Sequence, residues 1–262
     1  MDAELVRRGL ASSRSSAREA VDAGLVTVDG APALKPSRLV APHEAVLVTE
    51  RPRFVSRGGD KLDGALDRFR IDPTGVRALD VGASTGGFTD CLLQRGAAVV
   101  VAVDVGHDQL HERLRADPRV DSRERLNVRE LHGGDLGEPF ALVVADLSFI
   151  SLRTVLGNIV ELASPGADLV LLVKPQFEAG RREASRGRGV IREPAVWRRV
   201  LEDVLDALDG RGAAIMDAMV SPITGTGGNV EFLVHARTAP ARAPGPVDLG
   251  PVVDDAVARA GR

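Results

Sequence analysis

Four side chains have the types and places that acid–base chemistry requires: Lys61, Asp146, Lys174 and Glu231. Asp146 closes the apolar run Leu142-Val143-Val144-Ala145. Lys174 closes Leu169-Val170-Leu171-Leu172-Val173, and Pro175 keeps it extended. Lys61 opens an amphipathic segment, and Glu231 follows Thr226-Gly227-Gly228-Asn229. A lysine among apolar strands is costly as a cation unless it is paired, so it finds carboxylates or loses its proton. Two lysines and two carboxylates can satisfy one another, and one amine can then accept a proton from an alcohol. The plainer alternative is a buried ion pair, or solvated groups at strand ends.

A second constellation lies earlier, in Asp80-Val81-Gly82-Ala83-Ser84-Thr85-Gly86-Gly87-Phe88. An apolar strand runs into a glycine-rich turn, and a helix starts beyond it. Glycines let backbone approach a ligand and take angles that side chains forbid. The next strand, Val99-Val100-Val101-Ala102-Val103, ends in Asp104, a carboxylate able to accept from both hydroxyls of a ribose. The spacing is not the G-x-G-x-x-G of a dinucleotide site, and no pyrophosphate cradle is evident. An acid at Asp80 with a glycine turn suits S-adenosylmethionine, whose amino-acid end is zwitterionic. A degenerate dinucleotide site and a plain strand–turn–helix remain as alternatives.

The elements that must position these groups alternate. Strands are expected over 77–81, 99–104, 141–146 and 169–173, with a weaker one near 119–124. Helices are expected over 61–69, 88–94, 109–115, 152–162 and 195–208. Such alternation implies an α/β fold with a mainly parallel sheet covered on both faces. Strands over 214–220 and 230–236 have no helix between them and are expected to pair antiparallel. The stretch 239–262 is rich in Ala, Pro and Gly and reads as a loose tail until a short helix over 252–260.

The first fifty residues read as a separate unit, joined by Arg51-Pro52-Arg53. Expected there are a helix over 4–10, a Ser12-Ser13 cap with a helix running to Gly24, a strand over 25–30 entering an Asp-Gly turn, and a strand over 44–48. Arg7, Arg8, Arg14, Arg18, Lys35 and Arg38 punctuate it. A solvated basic face is the ordinary reading of such residues.

Composition excludes several classes. The chain has 262 residues, enough for one large or two unequal domains, and 44% apolar content supports a core. A net charge of −3 leaves room only for a local basic patch on a nucleic-acid surface. The single cysteine, Cys91, has no internal partner and reads as a small buried hydrophobe, consistent with a reducing cytoplasm. The first ten residues lack the apolar stretch of a secretory signal, and no apolar run approaches the ~20 residues of a membrane span. Aromatics at 3%, with no tyrosine, argue against a broad base-stacking platform. His107, His111 and His132 form no convincing metal set, so no metal is expected.

Two resemblances add to this reading. The order Gly-Leu-Ala-Ser-Ser-Arg-x-x-Ala-x-x-x-Val-x-x-Gly-x-Val-x-Val-x-Gly from Gly9 resembles the S-four-like RNA-binding domain of a ribosomal small-subunit protein and several pseudouridine synthases. That resemblance implies a small α+β domain over 1–50, with RNA contacts from Arg7, Arg14, Arg18, Lys35 and Arg38. Arg14 and Arg18 would face RNA and position phosphates.

The remainder resembles the TlyA, or hemolysin-named, family of ribosomal RNA 2′-O-ribose methyltransferases, relatives of the FtsJ-type enzymes. The resemblance rests on Val55-Ser56-Arg57-Gly58-Gly59-Asp60-Lys61-Leu62, the glycine turn, Asp104-Val105-Gly106, Asp117-Pro118-Arg119-Val120, Asp146-Leu147-Ser148-Phe149-Ile150-Ser151-Leu152, Lys174-Pro175-Gln176-Phe177-Glu178 and Gly228-Asn229-Val230-Glu231-Phe232. It implies a linker over 51–54 and an FtsJ-like domain over 55–238. That domain would have a Rossmann-like class I methyltransferase fold, with a mostly parallel seven-stranded sheet whose last strand is antiparallel.

The family's Lys-Asp-Lys-Glu tetrad falls on Lys61, Asp146, Lys174 and Glu231, with Lys174 activating the ribose hydroxyl. S-adenosylmethionine would be held by Asp80, Gly82, Ser84, Thr85, Gly86, Gly87, Phe88, Asp104, Asn127, Asp146 and Phe149. Among these, Asn127 would lie near the adenine and Phe149 near the methionine end. The sequence departs from the family pattern at His107, Leu126 and Gln109-Leu110-His111-Glu112, all beside the expected cofactor pocket. It begins at Met1-Asp2, without the short basic lead of members that modify both ribosomal subunits, so a large-subunit cytidine is the expected target. Alternatives are a nucleoside-like small molecule, a non-catalytic RNA-binding protein and a cytolysin. The last conflicts with the absent signal and span. An Arg-rich loop with Arg181, Arg182, Arg186, Arg188 and Arg192 follows Lys174 and reads equally as a solvated loop or an RNA-clamping lid.

Overall fold

A computed structural model describes all residues except 12, 23, 50–52, 181–182, 184–188, 241–244 and 261–262, together with the side chains of 19 and 226. The chain divides into two compact units, Met1–Arg53 and Phe54–Arg262.

In the first unit, α1 (Asp2–Arg7) and α2 (Arg14–Asp22) cover a sheet of β1 (Val26–Val28), β2 (Ala31–Pro32) and β3 (Val46–Val48), in the order β2-β1-β3. Met1, Leu5, Ala17, Val21, Val26, Val28 and Val46 form its core. The Asp-Gly turn is a two-residue hairpin with positive φ at both Asp29 and Gly30, which matches the twist of β1 and β2. The first helix starts earlier than expected, with Asp2 and Glu4 in its first turn, and ends before Gly9 at φ +71°. Ser13 takes the capping role, accepting from the Ser16 N–H at 3.1 Å. The other half of the expected cap, Ser12, lies outside the described residues, as does most of the linker.

The second unit is built on a seven-stranded sheet. Its strands are β4 (Arg77–Val81), β5 (Val99–Asp104), β6 (Val120–Glu124), β7 (Phe140–Ala145), β8 (Ala163–Val173), β9 (Ala214–Val220) and β10 (Phe232–Arg237), in the order β6-β5-β4-β7-β8-β10-β9. The pairs among β4 to β8 are parallel, and β10 runs antiparallel to both β8 and β9. The fold is therefore the mainly parallel α/β sheet that the sequence implies.

Strand side chains alternate between two cores. Ala78, Leu142, Val144, Val170 and Leu172 face α3 (Gly58–Phe69) and α4 (Gly87–Gln94). Leu79, Val81, Val143, Leu171 and Val173 face α6 (Leu156–Leu162) and α8 (Pro194–Asp209). Burial on both faces explains why these strands read as unbroken apolar runs.

The structure departs from the expected elements at several places. The segment expected as a helix over 109–115 is helical only as α5 (Glu112–Arg115), capped by the His111 ring. The helix expected over 152–162 is a 3-10 turn, Leu152–Thr154, followed by α6. The break falls at Val155, which holds φ −118° and donates its N–H to the Leu152 carbonyl at 3.0 Å. The short helix expected over 252–260 is present as α9 (Leu249–Ala260), which starts earlier and buries Leu249, Val253 and Ala256; Leu249 and Ala256 join the larger core. Residues 241–244 of the expected loose stretch lie outside the described residues. Cys91 is buried, as its small apolar side chain predicts.

Candidate active site

The chain leaves β4 for β5 on one side of the sheet and reaches β7 on the other. The crevice at the carboxyl ends of β4, β5 and β7 is thus a topological switch point, where open α/β sheets bind ligands. Gly82 makes this crevice possible. It holds φ +84°, and a Cβ there would lie 2.6 Å from the Asp146 carbonyl oxygen. The turn is stitched to β5 by Gly82 N–H donating to the Val103 carbonyl (2.8 Å) and Ser84 N–H donating to Asp104 Oδ2 (2.8 Å). Asp104 Oδ1 accepts from the Gly106 N–H at 2.7 Å. Asp104 therefore shapes both loops of the crevice as well as offering a carboxylate to it.

Two cavities open here. The larger, ≈ 530 Å³, is walled by Val81, Val103, Leu126, Val128, Leu147 and Ile150. The expected residues Gly82, Ser84, Asp104, Asn127, Asp146 and Phe149 also line it. Its size and its mix of apolar walls with a few convergent polar groups suit a nucleoside-sized ligand. The smaller, ≈ 150 Å³, is lined by Ser56, Lys61, Thr85, Gly87, Phe88 and Lys174 among others. Gly82, Ser84, Asp146 and Ser148 border both cavities, so the two meet at those residues.

The tetrad forms two ion pairs. Lys174 Nζ lies 2.6 Å from Asp146 Oδ1 and donates to Ser148 Oγ at 2.9 Å. Lys61 Nζ donates to Glu231 Oε2 at 2.6 Å. Lys61, Lys174 and Glu231 are buried, and Asp146 is half-buried. Lys61, Asp146 and Lys174 face the smaller cavity; Glu231 lines neither of the two and reaches it through Lys61. Gly225 explains how the carboxylate fits, since a Cβ there would lie 2.1 Å from Glu231 Oε1. Arg57 donates to the Thr224 carbonyl, tying this loop to the start of α3.

Two expected cofactor residues sit elsewhere. Gly86, at φ +96°, is the N-cap of α4, and its bare Cα lies under Leu114 rather than in a cavity. Asp80 is fully buried and lines neither cavity; its Oδ2 accepts from the Thr89 hydroxyl at 2.6 Å. Its Oδ1 has no hydrogen-bond partner among the described residues. Burial pushes the Asp80 carboxyl up to about 7, and nearby Asp146 and Asp104 add to the rise. Phe149, on the rim of the larger cavity, is 92% exposed, holds φ +66° and rests against Phe177 at 5.4 Å.

Sequence reasoning assigned no role to Ser148, Gln109 or Arg129, although all three line the larger cavity. The only signal for Ser148 was its place two residues after Asp146. Among the described residues, no group of three or more His, Cys, Asp or Glu side chains could hold a metal. Of the five arginines of the Arg-rich loop, only Arg192 is described.

In the first unit, Arg14 and Arg18 extend from α2 with more than half of each side chain exposed, and both pair with Asp2. Lys35 is exposed. Arg7 is paired with Glu4, and Arg38 with Glu44 at 3.1 Å.

Residues 54–238 match the FtsJ-like methyltransferase family, and residues 2–46 match the S4 domain. The 16S/23S rRNA (cytidine-2′-O)-methyltransferase TlyA of Mycobacterium tuberculosis is 50% identical over 93% of this chain and 91% of its own. The 23S rRNA (cytidine-2′-O)-methyltransferase TlyA of Campylobacter jejuni is 34% identical over 70% of each chain. A solved structure from Lactococcus lactis, described as a hemolysin, is 40% identical with a TM-score of 0.75, covering 79% of this chain and 99% of that one.

Proposed function

This chain belongs to the FtsJ-like methyltransferase family and carries an S4 domain, and from that premise we propose that it transfers a methyl group from S-adenosylmethionine to a ribose 2′-hydroxyl of ribosomal RNA. The observation that carries the reading is the meeting of a nucleoside-sized cavity with a small polar one at Asp146 and Ser148, where Lys174 Nζ stands. Both TlyA relatives carry cytidine and 23S rRNA in their names, so a large-subunit cytidine is the first target and a small-subunit one the second. The site of action is the cytoplasm, where ribosomal subunits are found. Among the described residues, no helix is long and apolar enough to cross a membrane.

The residues present fit the cofactor. Gly82 lets backbone line the cavity without a side chain, Asp104 offers a carboxylate to a ribose, and Asn127 offers an amide further along the wall. When bound, S-adenosylmethionine supplies a methyl group on an already activated sulfonium. The protein then has to orient the acceptor hydroxyl and manage its proton. Lys174 Nζ, held by Asp146 and Ser148, is the group placed to take that proton or to hold the oxygen in line. The Lys61–Glu231 pair presents a second ammonium to the same small cavity. The S4 domain brings RNA through phosphate contacts from Arg14, Arg18 and Lys35. Mass mapping of ribosomal RNA from cells with and without the gene tests the reading: a ribose methyl on a cytidine should vanish with the gene, and an unchanged map would refute it.

A further inference from the structure

The two segments that carry Asp146 and Lys174 are fastened to each other again, one helical turn away from the reacting groups. Segment 146–153 leaves β7, and α7 (Pro175–Glu178) begins directly after Lys174. At one end, Lys174 meets Asp146 and Ser148. In the middle, Phe149 rests on Phe177. At the other end, the buried Glu178 carboxylate accepts from the Ser151 hydroxyl at 2.5 Å and from the Leu152 N–H at 2.6 Å. Arg153 Nε lies 3.4 Å from the same carboxylate. Glu178 itself is placed by its N–H donating to the Lys174 carbonyl at 3.3 Å.

From this geometry we infer that Glu178 is a positioning residue for the methyl transfer, acting with Ser151 to hold the 146–153 segment so that Asp146 and Ser148 meet Lys174. The inference rests on the function proposed above. The segment needs such a fastening. Phe149 holds a left-handed backbone at φ +66°, a conformation unfavourable for a bulky side chain, and its ring is exposed. Neither backbone preference nor burial of that ring would keep the loop in place. The bonds to a buried carboxylate are charge-assisted and therefore among the stronger ones available. They also cap the 3-10 turn, because the Leu152 N–H, at its first residue, has no carbonyl partner within the turn and is satisfied by Glu178.

Two variants of different burial test this. Ser151→Ala removes one bond from a half-buried position, and Glu178→Gln keeps the volume but loses the charge. Both are assayed for kcat with ribosomal subunits, cofactor affinity by calorimetry, and hydrogen exchange across 146–153. Displacing reacting groups by a fraction of an ångström to an ångström is expected to lower kcat by about tenfold to a hundredfold. Cofactor affinity should fall less than kcat, because residues 146–150 form only one wall of the larger cavity and Gly82, Asp104 and Asn127 line it from other loops. Exchange at Leu152 and through residues 146–148 should quicken, and Ser151→Thr should restore both kcat and slow exchange. Wild-type kcat with wild-type exchange in both variants would overturn the inference. So would faster exchange spread evenly over the whole unit, which marks a purely structural role. If wild-type protein itself methylates no ribosomal RNA, the proposed function fails, and exchange in the same variants still decides whether Glu178 fastens the segment.

Discussion

The Lys61–Glu231 pair offers a way to separate architecture from chemistry. Both side chains are buried, at 9% and 3% exposure, with their charges 2.6 Å apart. Removing one partner leaves the other charge buried and uncompensated, which typically costs about 3–5 kcal/mol. Lys61→Met and Glu231→Met should each destabilise the second unit by that order. Replacing both with methionine removes both charges at similar volume, which is often neutral or stabilising. Trp197 is the single tryptophan; it is buried on α8 and packs edge-on against Phe232, next to Glu231, so its fluorescence reports this unit. With a urea slope of about 2 kcal/mol per molar, each single variant should lower the midpoint by about 2 M. The double variant should return close to wild type. Methyl transfer should be lost in all three, because Lys61 faces the small cavity proposed to receive the acceptor. A double variant that recovers both stability and activity would refute the reasoning and leave the pair a structural clasp. Single variants as stable as wild type would show that the charges are not closed off from water.

Other perturbations follow from the same geometry. Burial raises Asp80 from 3.8 to about 7, so between those values the folded protein holds a proton that the unfolded chain releases, and stability falls as pH rises through that window. Asp80→Asn should abolish that slope and raise stability above pH 7 by on the order of 4 kcal/mol, and thermal melts across pH that match for the two proteins would contradict it. Asp104→Asn should weaken S-adenosylmethionine binding by at least about tenfold in calorimetry, since bonds to a charged acceptor are worth ~1.5–3 kcal/mol; unchanged affinity would place the ribose elsewhere. Arg14→Gln with Arg18→Gln should weaken ribosomal RNA binding and flatten its salt dependence while cofactor binding persists; an unaltered salt slope would reduce both arginines to a solvated face.

What the sequence made legible follows from local rules. Parallel strands buried on both faces appear as apolar runs, so the residues that end them, Asp104, Asp146 and Lys174, stand out against their neighbours. The glycine turn was legible because Gly82 answers to a backbone need, positive φ under a close carbonyl. Pairings between distant segments were not. Nothing in the order of residues shows that Glu178 takes the Leu152 N–H at the start of the 3-10 turn. Asp80 has the composition of a ligand contact, yet side-chain alternation along β4 turns it towards Thr89 on α4 and away from both cavities. The tail's helix was legible over 252–260, but Leu249, which buries the start of α9, lay in the stretch read as loose.

The central claim is that Lys174 serves the acceptor hydroxyl, and methyl incorporation from labelled S-adenosylmethionine into purified ribosomal subunits tests it most directly. Lys174→Ala should keep its fold and its cofactor binding while incorporation falls by about 10²–10⁴-fold, the loss usual for one acid–base group. Lys174→Arg should not restore it, because a guanidinium stays protonated and does not match an ammonium's geometry. Full incorporation by Lys174→Ala would contradict the account, and an active Lys174→Arg would leave Lys174 an electrostatic anchor instead of a base.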